Sequence, residues 1–201
     1  MGRFLLGVLI GIILVPLIVL AYFKFGNVPV AVDDKPFPEE KLVTSVPLEA
    51  RIQREMVTNP PIQPTEENFV AGAHVYADQC AVCHGFHGQP SKVGRHEFPS
   101  APALWEKHHN SNVVGVSDDP PGETYWKVAN GIRLTGMPAY KQILNDTQMW
   151  QVSLLLANAD KPLPPGALEV LKGQTTTPAD MGPVPAGQPK SQHESEKAPR
   201  P

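Results

Sequence analysis

Cys80 and Cys83 are the only cysteines of the chain, they flank Ala81-Val82, and His84 follows directly. Two thiols three residues apart share one helical turn, so each can add to a vinyl group along one edge of a porphyrin, and the next residue then reaches the metal at its centre. The pattern predicts a single covalently attached haem c, with Cys80 and Cys83 as anchors and His84 as an iron ligand. Imidazole nitrogen serves both iron oxidation states. Two other uses of the pair compete. A dithiol redox centre needs C-x-x-C in a βαβ setting, and no strand pattern surrounds this one. A zinc site would have to recruit His87, His108 or His109 across long spacings.

An iron that only carries electrons needs a sixth ligand, and a thioether raises its potential relative to a second imidazole. Met137 suits that role, because Gly136 and Pro138 on either side mark a turn that can present a side chain inward. Met149 falls on the apolar face of a helical pattern, where methionine is usually core, and Met56 and Met181 lie in the flanks. His74, His87, His96, His108 and His109 are further candidates, though loop histidines mostly face water. Trp105, Trp126, Arg133 and Tyr140 are expected near the haem, since ring N–H, hydroxyl and guanidinium groups suit its carboxylates.

These residues need elements to hold them. A first helix after Thr65 as N-cap carries Phe69, Ala73 and Tyr76 on one face and runs into Cys80. A second covers roughly 123–130, closed by Gly131. A third starts at Asn145, with Gln148 completing a capping box, and carries Met149, Trp150, Val152 and Leu154 to Leu156 towards Ala159. Between Gly85 and Gly122 lies a long Gly/Pro/His stretch without periodicity, a length that in a small domain is usually functional. The expected fold class is all-α, with the folded domain at 62–160.

The flanks differ in composition. Phe4 to Phe23 contains no charged residue and is long enough for a hydrocarbon core of about 30 Å, so 1–25 is expected to be a membrane anchor. Residues 26–61 are polar and proline-punctuated and read as a linker, with Leu48, Ile52 and Met56 spaced for a short amphipathic helix. As random coil, Lys24 to Pro64 would span roughly 35 Å, enough for the domain to sweep between neighbours. Residues 161–201 are Pro/Gly-rich with few large apolar side chains and are expected to be disordered. A formal net charge of −3, with no basic run interleaved with aromatics, argues against nucleic acid as a partner.

Gly72 to Tyr76, Cys80-Ala81-Val82-Cys83-His84-Gly85, Ala101-Pro102-Ala103-Leu104, Asn130-Gly131-Ile132-Arg133, Gly136-Met137-Pro138-Ala139 and Trp150 together resemble the class I cytochrome c family in its bacterial, single-haem, membrane-anchored form. The resemblance implies first and last helices crossing near Gly72, Tyr76 and Trp150, and His84 and Met137 as axial ligands on opposite haem faces. It also implies that the Pro102 carbonyl accepts a hydrogen bond from the far nitrogen of His84. The function implied is a one-electron carrier, not an enzyme. It would be anchored in a bacterial inner membrane with its haem domain in the periplasm, and its partners would be redox proteins of a respiratory chain. The alternative is a haem c electron-entry subunit of a dehydrogenase or terminal oxidase complex. Residues 62–160 hold six Lys and Arg against ten Asp and Glu, so docking by a general positive surface is not expected.

Overall fold

A computed structural model of the chain describes residues 1–108 and 111–173; His109, Met181 and the expected tail from residue 174 lie outside the described residues. Among the described residues there are seven α-helices: α1 Gly2–Phe25, α2 Glu40–Glu55, α3 Glu66–Gln79, α4 Ala81–His84, α5 Pro121–Asn130, α6 Asp146–Leu156 and α7 Pro165–Leu171. Among the described residues the only β-structure is a pair of isolated bridges, Phe86 to Gln89 and Lys107 to Val114. The all-α class follows.

Helix α1 has a mean hydropathy of 3.1 over its best window, and none of its residues is buried within the molecule. Its 24 residues extend about 36 Å at 1.5 Å per residue, enough for one membrane crossing.

The core forms where α3 lies across α6. Helix α3 starts as its sequence requires: the Thr65 hydroxyl accepts the amide of Asn68 at 3.3 Å, leaving Phe69, Ala73 and Tyr76 on the buried face. At α6, the Asn145 side chain accepts from the Gln148 amide and the Gln148 side chain accepts from the Asn145 amide, both at 3.0 Å. The two helices touch backbone to backbone at Gly72, where a Cβ would lie 2.5 Å from the Gln151 carbonyl oxygen. That contact lets Tyr76, Val152 and Leu155 close completely against one another. Helix α5 packs on the other side of α6, with Tyr125 stacked on Trp150 at 4.1 Å between ring centroids and its hydroxyl donating to Asp146.

Two segments outside the expected 62–160 domain also pack. Helix α7 lies beyond residue 160, where a disordered tail was expected, yet Ala167 and Leu171 have no exposed surface and Leu163 is buried. Three apolar side chains at helical spacing suffice to dock seven residues against α3, although the surrounding Pro/Gly-rich composition hides them. Helix α7 also braces the turn after His84: the His87 amide donates to the Leu171 carbonyl at 3.3 Å and the Gln89 side chain to that of Lys172 at 3.4 Å. Within the expected linker, α2 is four turns long and docks on α5 through Ile52, which is 1% exposed.

Gly72→Val will lower the midpoint of urea unfolding, at a cost of about 2 kcal/mol, because overpacking at the backbone contact outweighs the helix propensity gained on losing glycine. An unchanged midpoint would mean that α3 and α6 do not need their close approach.

Candidate haem site

Cys80 closes α3 and opens the single turn of α4, so the two cysteines and His84 leave one helical corner together. Both thiols are free. Burial, and then its neighbour Cys83, push the Cys80 thiol up to about 12; the hydrogen bond from Cys83 Sγ to Glu97 Oε1, at 3.0 Å, pushes Cys83 up to about 11. Both sulfurs are therefore held as thiols. Gly85 ends α4 with φ +76, a conformation that costs an L side chain energy, and its carbonyl accepts the buried Tyr76 hydroxyl at 2.6 Å. The corner is thereby tied to the centre of the α3–α6 core.

His84 Nδ1 lies 2.8 Å from the Pro102 carbonyl oxygen, which can only accept, so Nδ1 carries the proton and Nε2 keeps its lone pair. Burial lowers the pKa of the ring, with the Pro102 hydrogen bond and the charge of Glu97 opposing, and the imidazole is held towards its neutral, ligating form. The 85–120 loop that brings Pro102 here is pinned under α4: the Ser91 hydroxyl donates to the Val82 carbonyl and accepts the Gly94 amide at 3.0 Å, and the Ala101 amide donates back to Gly94 at 2.9 Å.

Met137 sits on the 131–138 turn and is partly buried against the same core cluster as Cys80. Gly131 begins the turn with φ +66 and packs on the backbone of Met137 and Pro138. The Ile132 amide donates to the Met137 carbonyl at 3.3 Å, and the Met137 amide donates to the Thr135 hydroxyl at 3.1 Å. These bonds fix the loop from within, as presentation of one side chain requires. Met149 is 4% exposed in α6 and belongs to the core. His74, His87, His96 and His108 are exposed, and among the described residues no three His, Cys, Asp or Glu side chains gather as a metal cluster.

The four residues expected near the haem fare differently. Trp105 is 5% exposed, stands edge-on to Tyr76 at 5.4 Å, and its Nε1 has no hydrogen-bond partner among the described residues. A buried N–H next to Tyr76 with no hydrogen-bond partner of good geometry suits a carboxylate such as a haem propionate, so the donor set present is compatible with haem c. Trp126 Nε1 donates to Glu55 of α2 at 2.9 Å, so that N–H is engaged by the linker helix. The Tyr140 hydroxyl donates to the Gln79 carbonyl at 2.8 Å. It supports the last turn of α3 before Cys80 and has no proton to spare for a carboxylate. Arg133 lies exposed on the turn.

Glu97 is the residue that sequence reasoning missed. One carboxylate oxygen accepts from Cys83, and the other lies 2.8 Å from where a Cβ at Gly136 would stand, so it spans the gap between the cysteine corner and the methionine turn. Nothing in its local sequence marks it, because the meeting is made by two distant loops.

Tyr140 couples the site to pH. Burial, and then Cys80 and Cys83, push its phenol up to about 12 from the ordinary 10. The folded state thus favours the neutral phenol, a contribution complete below pH 10 and lost as pH rises towards about 12. Tyr140→Phe will flatten the pH dependence of unfolding in that window and cost about 1 kcal/mol at neutral pH through the orphaned Gln79 carbonyl. Equal alkaline slopes in both proteins would place the titration elsewhere.

Comparison with known proteins adds two findings. Residues 67–154 match the family described as cytochrome c oxidase, cbb3-type, subunit III. The thiosulfate dehydrogenase of Stutzerimonas stutzeri (strain A1501) is 28% identical over 103 residues, which are 51% of this chain and 31% of that protein. The match thus spans about a third of that relative's length. No solved structure matches the chain.

Proposed function

We propose that the chain is a single-haem electron-transfer protein built on a class I c-type cytochrome domain, anchored by α1 in a bacterial inner membrane with its haem domain in the periplasm; the family match over residues 67–154 and the apolar helix α1 support this reading. Electron transfer follows from the domain type. The observation that carries the finer reading is the imidazole of His84, whose Nδ1 proton is given to Pro102 one residue after two free thiols, leaving Nε2 for iron. When bound, haem c supplies one-electron Fe(II)/Fe(III) chemistry.

The chain's own residues do the rest. Cys80 and Cys83 hold the group covalently. The Pro102 carbonyl sets the plane and tautomer of His84, a contact that also raises ligand basicity. Met137, on a turn closed by its own backbone bonds, would supply a thioether ligand to the iron. Trp105 offers its unpartnered N–H to a propionate. With His84 and Met137 as its protein ligands the iron would need no bound substrate, and the role would be that of a carrier. Export to the periplasm agrees with covalent attachment to thiols that no disulfide consumes.

A second reading, an electron-entry subunit of a larger oxidoreductase, draws on the matched names, one an oxidase subunit and the other a dehydrogenase. Isolation of the chain from membranes separates the two. A free carrier comes away alone, and a subunit brings a partner in fixed ratio.

Haem stain on a denaturing gel tests the anchors: the Cys80→Ala/Cys83→Ala double variant will show none, and a persisting stain would overturn the reading. Met137→Ala will keep the stain, lose the sulfur-ligated optical signature of the oxidised protein and titrate at a lower potential. An unaltered spectrum would transfer the sixth position to a histidine.

A further inference from the structure

Glu97 is placed by its own loop, which is wedged under α4. A Cβ at Gly94 would collide with the Cys83 carbonyl, and the Ala101 amide donates to the Gly94 carbonyl at 2.9 Å. A short 3-10 turn, Gly94–His96, follows, with the His96 amide on the Val93 carbonyl at 2.9 Å and the His96 ring Nδ1 2.8 Å from the Lys92 carbonyl. Glu97 closes that turn and is half-buried. Its carboxylate meets Cys83 Sγ on one side; on the other it takes up space that a side chain at Gly136, the residue before Met137, would need.

Covalent attachment changes what surrounds this carboxylate. Its one hydrogen bond among the described residues, at 3.0 Å, is donated by the Cys83 thiol. When that thiol adds to a vinyl group, an S–C bond forms, the vinyl double bond becomes single, and the thiol proton ends on the terminal vinyl carbon, with no oxidant or reductant consumed. A thioether has no proton to donate. Among the described residues no Lys, Arg or His pairs with Glu97, since the ion pairs there are Arg51–Glu55, Lys127–Asp119 and Lys127–Glu123. Lys92 and Arg95 on the same segment, and Arg133 on the methionine turn, are exposed to solvent. Attachment therefore leaves a carboxylate beside the thioether sulfur, in partly buried surroundings that screen it less than water does. Its charge also reaches the His84 ring.

We propose that Glu97 sets the potential of the loaded protein: once Cys83 is a thioether, the carboxylate is a negative charge at the haem edge that favours the ferric state and offsets part of the rise contributed by Met137. This rests on the electron-transfer reading above and deepens it. Ferric haem carries one more positive charge than ferrous haem, so a nearby anion stabilises it more. Glu97 acts without ligating the iron. The carrier can then pass its electron to an acceptor of lower potential than His84 and Met137 alone would permit.

The test is an optical redox titration of the haem-loaded full chain. Glu97→Gln keeps the size of the side chain and removes the charge, so the iron equilibrium should shift at least tenfold towards the ferrous form, about 59 mV upward for one electron. Glu97→Ala shares only the loss of charge and should shift the same way by a similar factor. Glu97→Lys should shift further still, and Glu97→Asp should stay nearer the wild type than any of them. All four should keep the wild-type optical spectrum, because the iron ligands are untouched. A Gln variant at the wild-type potential would overturn the inference. Shifts of opposite sign in Gln and Ala, or an altered spectrum in both, would also overturn it, by making Glu97 a brace of the fold. If the Gln variant loads no haem, the Ala and Lys variants decide by the same criteria. A wild-type chain whose haem is absent or does not titrate reversibly would defeat the electron-transfer reading, and the inference with it.

Discussion

The backbone contact between α3 and α6 at Gly72 is the constraint on which the other features rest. Helix α3 has no second covalent tie to the fold, and its last residues are the ones that must be placed. Bringing Gly72 against the Gln151 carbonyl sinks Tyr76 to zero exposure, and the Tyr76 hydroxyl then holds Gly85 at the far side of the cysteine corner. Helix α7 packs on α3 as well and seizes the turn after His84 through Leu171 and Lys172. A side chain at position 72 would therefore be felt at the haem motif more than two helical turns away.

The site is built by long loops held rigid through many small bonds. Pro102 reaches His84 only because the 85–120 loop is tied to α4 through Ser91 and Gly94, and Met137 is presented by a turn that satisfies its own amides. The polar groups that face the site are few and committed: Tyr140 to Gln79, Glu97 to Cys83, and Pro102 to His84. Trp105 alone among the expected contact residues keeps a buried donor in reserve.

The helices were legible because they are short-range objects. Thr65, Asn145 with Gln148, and Gly131 each mark a boundary by a bond or torsion within a few residues, and each stands where its chemistry placed it. The motif at Cys80 to His84 is equally local, three residues gathered on one helical corner. The extent of α2 and α7 was less legible. The spacing of Leu48, Ile52 and Met56 marks a short amphipathic helix in the linker, but its docking shows only where Ile52 meets the domain, and Pro/Gly-rich surroundings hide the spacing of Leu163, Ala167 and Leu171. Trp126 and Tyr140 were sorted by what their donors could do, and only the packing reveals what already accepts from them.

Residue type and spacing within a turn or two were enough for the helix limits, the all-α class and an apolar helix of spanning length at Gly2–Phe25. Tertiary packing alone settles which donors stay unpartnered among the described residues, how far the packed unit extends on either side, and that Glu97 stands between Cys83 and Gly136. These depend on contacts between residues tens of positions apart, and such contacts are set by the shape of a core that no local pattern encodes.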